Sequence, residues 1–263
     1  MDWGVRMRIG RLIFAILVIC APAEAQWLGY RTPGAPRLAD GKVNLSAPTP
    51  KAPDGKPDLS GVWESDPDHF YDLAKDLPPG EVVMLPWAKA LQAEREGKEH
   101  QDDPLSECMP PGVPRIDMTT PAAPHPFKIV QTPALVVLLY ETSANSTFRQ
   151  VFLDGRALPK DPQPTWLGYS VGRWDGDTLV VDTIGFNGRS WVDTAKGHPQ
   201  TEAAHVTERF SRPDFGHLVI DITIDDPKAY AKPWRATVPV HLLADSELIE
   251  TYCENEKDQV HKR

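Results

Sequence analysis

The chain has 263 residues, with 28 basic against 37 acidic side chains and a formal net charge of −9. An acidic balance of this kind argues against nucleic acid and against anionic membrane surfaces as partners. The length suits one large β domain as readily as two small domains.

Residues 1–25 read as a cleaved export signal. Arg6, Arg8 and Arg11 form a positive start, residues 12–21 an apolar run too short to span a bilayer comfortably, and Ala23-Glu24-Ala25 a small-x-small cleavage site. The mature protein is therefore expected in the periplasm or secreted, with no membrane anchor after cleavage. Removal of the leader discards Cys20 and leaves Cys108 and Cys253. In an oxidising compartment two cysteines favour one disulfide over two buried thiols.

Residues 26–57 are Pro-rich and aperiodic, which predicts an extended arm, and residues 58–263 are expected to form a single domain. Asp58-Leu-Ser-Gly-Val-Trp63 is the first strand-like entry, with Trp63 an early core residue. The best helix covers residues 86–98: it has Pro at its start, Ala and Leu inside, Gly97 near its end and few apolar positions, so it should pack peripherally. Residues 101–126 are again Pro-rich and must cross the surface or a barrel mouth as loop. A loop that long inside a domain is either functional or disordered, and a bridge at Cys108 would order it.

From residue 127 the pattern turns to strands: 127–131, 135–141, 147–153, 168–173, 178–184, 205–211, 216–224, 236–243 and 247–253. Turn chemistry separates them, as at Asp154-Gly155, Asp175-Gly176 and Asp225-Asp226-Pro227. With almost no helix between the runs, βαβ units are ruled against. The expectation is a mostly β fold, an antiparallel meander closing into a barrel. If Asp175-Gly176 is a two-residue loop, Trp174 pairs with Asp177, Gly172 with Leu179 and Ser170 with Val181. Trp174, Leu179 and Val181 then share the core face. Tyr169, Arg173, Val180 and Asp182 share the other, which faces solvent or a polar-lined cavity.

Candidate chemistry lies mostly on the neighbours of this hairpin. In His205-Val-Thr-Glu-Arg-Phe210, alternation puts Glu208 between Val206 and Phe210 on a core face, where a carboxylate must be paired, hydrogen-bonded or protonated. Glu208 is thus a general acid or base in a cavity, or half of a buried pair with an arginine such as Arg149. Arg149 and Arg156, on either side of Asp154-Gly155, are hairpin rim charges or a clamp for an anionic or carbonyl-bearing substrate. His125, between two prolines, and His198, in Lys-Gly-His-Pro, are candidate proton-transfer residues or ordinary loop histidines. Trp166, Trp191 and Tyr169 line an aromatic pocket or belong to the core. No local metal-ligand motif, phosphate-cradling Gly loop or Gly-x-Ser-x-Gly nucleophile appears, so neither a metal nor another cofactor is expected.

Several segments resemble a widespread family of exported bacterial proteins of unassigned activity. They are Pro57-Asp-Leu-Ser-Gly-Val-Trp63, Asp154-Gly-Arg156, the block from Trp166 to Asn187, His205-Val-Thr-Glu-Arg-Phe210, and Asp225-Asp-Pro227 with Pro233-Trp234. The resemblance implies a periplasmic or secreted single domain and carries no residue roles. The Ser-Gly-Val-Trp strand entry and the meander are also similar to the lipocalin or calycin group, an analogy of fold alone.

These readings converge on a cofactor-independent exported enzyme, a lyase, isomerase or hydrolase. It would act by acid–base chemistry on a small aromatic or sugar-like molecule in a barrel cavity. Glu208, His125 and His198 would be catalytic; Arg149, Arg156, Tyr169, Asp182, Trp166 and Trp191 would bind substrate. The alternative is a lipocalin-like binding protein without catalysis, and a third is a structural protein of the envelope.

Overall fold

A computed structural model describes residues 30–118, 126–141, 147–251 and 253; the expected export signal and His125 lie outside them. Period-two alternation of apolar residues sets the architecture, most cleanly in the last strand, where every second residue from Trp234 to Leu242 is buried. The strands are β1 (Gly61–Ser65), β2 (Phe127–Gln131), β3 (Leu135–Tyr140), β4 (Thr147–Phe152), β5 (Tyr169–Asp175), β6 (Thr178–Ile184), β7 (His205–Ser211), β8 (His217–Asp225) and β9 (Trp234–Leu242). They pair in chain order, and β9 returns to β1 to close a barrel.

Nine strands cannot close with every neighbour antiparallel, because alternating directions around an odd ring leave one pair running the same way. That pair is β4–β5, registered over Val151↔Ser170 and Phe152↔Val171. The expected all-antiparallel meander is corrected here. Asp154-Gly155 does not turn a hairpin but begins the connection 153–168, which carries the chain back before β5 starts. Residues 247–250 form no strand; the ninth strand is β1, whose Trp63 is fully buried.

The β5–β6 hairpin turns on Gly176-Asp177 rather than Asp175-Gly176. Asp175 pairs with Thr178, and Gly176 takes the left-handed corner at φ +61. Each partner moves by two residues, so Ser170 faces Thr183 and Gly172 faces Val181. A shift of two preserves the pleat, and the faces stay as expected.

Inside, one end of the barrel is apolar and filled. Leu59, Ile129, Leu138, Leu179, Val181 and Phe210 line a residual space of about 10 Å³, at the lower limit for holding a single water. The arm packs against this end: Leu45 and Ala47 carbonyls accept from Gly216 and Phe215 N–H. The Arg212 guanidinium bonds the Asp58 and Phe215 carbonyls and stacks over Trp63.

The opposite end is covered by three interlocked stretches, 66–118, 185–204 and 226–233. Thr194 N–H reaches the Phe70 carbonyl, Gln200 the Val113 carbonyl, and Leu85 N–H the Ala229 carbonyl. Within the cover lie α1 (Asp68–Tyr71) and α2 (Pro86–Gly97). As expected, α2 is peripheral, with Ala88 its one buried residue. Of the Pro-rich loop, residues 101–118 are among those described and pack into the cover. Arg115, fully buried, grips Asp103 with two hydrogen bonds of 3.0 and 2.6 Å and stacks on Phe70. Cys108 forms the expected disulfide with Cys253, their Cα atoms 5.8 Å apart. No helix among the described residues is long and apolar enough to cross a membrane.

Candidate functional site

Beneath the cover, the barrel interior changes from apolar to charged. Arg149 on β4 points inward and donates through Nε to Ser170 Oγ (2.9 Å), through Nη1 to Asp117 Oδ2 (3.1 Å), and through Nη2 to Thr183 Oγ1 (2.8 Å) and Glu208 Oε2. Tyr140, inward on β3, donates its hydroxyl to Asp117 Oδ1 at 2.5 Å. Ser170 and Thr183, opposite each other on β5 and β6, are also hydrogen-bonded together. All six side chains are buried. Of the two readings of Glu208, the pairing with Arg149 is what the fold brings together.

Two carboxyl groups, those of Asp117 and Glu208, face one guanidinium. Burial raises the Asp117 pKa well above the ordinary value, and the adjacent Glu208 charge raises it further, against the pull of Arg149. Asp117 therefore keeps its proton to higher pH than an exposed aspartate does. Glu208 Oε1 is buried with no hydrogen-bond partner among the described residues. Burial also pushes the Tyr140 hydroxyl well up, reinforced by Asp117. For Arg149, burial opposes the charge, but Glu208 and Asp117 outweigh it and the guanidinium stays protonated.

This network forms the inner wall of a pocket that opens through the barrel side. Because β4 and β5 are registered over two residue pairs, the first part of β4, paired with β3, is open on its β5 side. Gly168 makes that turn at φ +66, and a Cβ there would lie 2.7 Å from the Ile184 carbonyl oxygen. The resulting gap holds about 560 Å³. Phe148, Phe152, Leu167 and Tyr169 supply its apolar wall, and Arg149, Gln150, Arg156 and Ser170 its polar groups. Phe148 is 59% exposed and Tyr169 37%. The Arg156 guanidinium stacks 3.7 Å over Phe152 and bonds Asp154, and both charges are half-exposed.

Three of the expected binding residues, Arg149, Arg156 and Tyr169, therefore meet at one pocket. The clamp is corrected in one respect: Arg149 commits its guanidinium to Asp117, Glu208, Ser170 and Thr183, and Arg156 alone presents an outward cation. Asp182 lies on the outer face, bonded to Arg173, Thr207 and His205. Trp166 packs under Arg189, and Trp191 is buried beneath Arg95, whose guanidinium is 4.2 Å from the ring. Neither tryptophan lines the seam pocket: Trp166 lies late in the 153–168 connection and Trp191 in the 185–204 cover.

His198 does not meet Glu208. It sits in the 185–204 loop, where its Nδ1 and Asp193 Oδ2 are 2.6 Å apart. Asp193 is fully buried and also accepts from the His198 and Leu73 backbone N–H groups. Burial pulls the imidazole pKa down, but Asp193, with help from Asp72, more than reverses it, and the net direction is up. The ring packs against Trp234 and borders a second pocket of about 270 Å³ with Asp72, Gln92, Glu96 and Lys196.

Asp117 and Tyr140 are the site residues that sequence reasoning missed. Tyr140 was accessible, since period-two alternation through Val136 and Leu138 aims it inward. Asp117 gave no signal beyond its place in a loop too long to be a mere connection. A comparison with known protein families and with curated proteins finds no match for this chain. Fold and site together define a closed nine-strand β-barrel with a lateral pocket backed by a buried Arg–carboxyl network.

Proposed function

We propose that this is an exported protein that binds a small, planar, largely apolar molecule in the seam pocket. The ligand class is a small aromatic carrying a carboxylate or hydroxyl edge. The observation that carries the reading is the pocket itself: a gap of about 560 Å³ walled by exposed Phe148 and Tyr169, with Arg156 stacked at its rim. An aromatic ring can stack on these side chains while its polar edge reaches Arg156 and Gln150. The filled apolar end of the barrel argues against a lipocalin-like central ligand. The disulfide and the leader-like first 25 residues support an oxidising compartment, periplasmic or secreted.

A thermal-shift screen with aromatic acids, phenols and monosaccharides tests this, because a ligand specific for the folded state raises the melting temperature. The expected hits are aromatics, with the shift lost in Phe148→Ala and Tyr169→Ala. Hits unaffected by both substitutions would place binding elsewhere.

A second reading, the acid–base enzyme, draws on the Asp117–Glu208 pair. Two buried carboxyls on one arginine, one of them with its pKa raised, are groups that general acid–base chemistry can use. Ser170 and Arg149 stand between that pair and the pocket, so catalysis requires them to open a path. Turnover of a bound aromatic by wild type and not by Glu208→Gln would favour the enzyme.

A further inference from the structure

The second pocket, on the covered end, has a composition that neither the seam pocket nor the buried network explains. Asp72, Asp193 and His198 each offer one donor atom, and these atoms lie within 4.8 Å of one another. We propose that they form a site for one divalent transition-metal ion of the zinc class, with Asp72 and His198 Nε2 as direct ligands and Asp193 orienting the ring.

The imidazole is set up for this role. Asp193 holds Nδ1 from behind at 2.6 Å, and its own carboxylate is fixed by the Leu73 and His198 N–H groups. A carboxylate behind a histidine is the usual outer-shell support of a ligating ring, setting both tautomer and direction. The His198 side chain is more than nine-tenths buried and borders the pocket, and its Nε2 has no hydrogen-bond partner among the described residues. With Nδ1 turned to Asp193, Nε2 is the ring nitrogen left to meet an ion on the pocket side.

Asp72 has the matching freedom. It follows α1, caps Ala74 N–H through Oδ1 and leaves Oδ2 unbonded among the described residues. Ligands on a tetrahedral zinc with bonds of about 2.0–2.2 Å sit roughly 3.3 Å apart, so a small rotation of the Asp72 side chain completes the approach. Glu96 and Gln92 of α2 border the same space, with room for waters on the open coordination positions. The positive groups nearby are Lys196, which leans towards Glu96 at 3.8 Å, and Arg95, turned over Trp191. A nitrogen with carboxylate oxygens suits zinc, cobalt or manganese; magnesium and calcium prefer all-oxygen sets. Asp72 lies far in sequence from the other two residues, so no local spacing motif announces the site.

The test is titration of the untagged, metal-stripped mature chain with zinc chloride, followed by calorimetry and by melting temperature. About one equivalent should bind and raise the melting temperature, while magnesium and calcium at the same concentration do not. Asp72→Asn, which keeps an acceptor for Ala74 N–H, and His198→Ala should each weaken binding at least 100-fold. Asp193→Asn should weaken it about 10- to 100-fold. Cobalt should give a tetrahedral visible spectrum that His198→Ala removes. Absence of zinc binding by the wild type overturns the proposal. So does binding that survives both Asp72→Asn and His198→Ala in variants whose circular dichroism shows them folded. Phe148→Ala should bind zinc as wild type does, which separates failure here from failure at the seam.

Discussion

Arg149 on β4 pairs at once with Glu208, in the middle of β7, and with Asp117, on the loop that covers the barrel. One guanidinium faces two carboxyls, and burial together with the Glu208 charge raises the pKa of Asp117. The two carboxyls are therefore not equivalent to lose. Arg149→Met should cost about 3–5 kcal/mol, because it leaves a buried carboxylate without its counter-ion. Glu208→Gln should cost less, about 1–2 kcal/mol, since Asp117 can ionise and take over beside Arg149. Urea unfolding of the two variants checks this, and equal losses would show that Asp117 does not take over.

The acid on Asp117 also predicts a pH dependence. Its folded pKa lies well above the ordinary value, first through burial and then through Glu208. Below about pH 4 the group is protonated in both states and has no effect. As pH rises, the unfolded chain releases the proton while the folded chain keeps it. Stability therefore falls, by at most about 1.4 kcal/mol per unit, until the folded pKa is passed. Asp117→Asn should flatten that part of the profile. The readout is the difference between wild-type and variant stability over pH 4–8, and parallel profiles would refute it.

The Cys108–Cys253 bridge ties the cover to the far end of the chain across a separation of 145 residues. Replacing both cysteines by serine should cost about 3–5 kcal/mol on the chain-entropy account. Hydrogen exchange should rise first around Pro104–Glu107 and Arg115–Asp117, the two 3-10 turns that follow the cystine and Asp103 in the cover. Uniform exchange across the barrel would mean instead that cover and barrel unfold as one.

At the seam, exposure and function should separate. Phe148→Ala and Tyr169→Ala remove largely exposed rings, so each should change stability by less than about 1 kcal/mol while lowering ligand affinity about tenfold or more. Ser170→Ala should behave oppositely, costing about 1–2 kcal/mol because Arg149 Nε–H loses its acceptor. Calorimetric binding and thermal unfolding on the same three variants test the contrast.

How much of this was legible in the residues follows from the range of each signal. Alternation is local, so β2 to β9, the inward aim of Glu208 and its pairing with Arg149 could all be anticipated. The hairpin turn was misplaced by one residue because Asp-Gly and Gly-Asp are both good corners, and the ladder decides between them. The parallel β4–β5 pair could not be read locally. It follows from strand count, which was obscured when residues 247–253 were read as a strand. Asp117 and the Asp72–Asp193–His198 group are joined by tertiary contacts between irregular stretches, where no periodicity exists to read. The two-way reading of Arg149 was resolved only by seeing its donors engaged.

The odd strand number has a last consequence. In an even ring every ladder can run its full length, and a filled barrel of that kind offers ligands only its ends. Here one end is capped by loops and the other packed by the arm, so the mismatched pair is where a recess opens through the wall. The seam pocket is thus tied to the count of strands before it is tied to any side chain. A homologue that gained or lost one strand would have to relocate its recess, even if Phe148, Arg156 and Tyr169 were all retained.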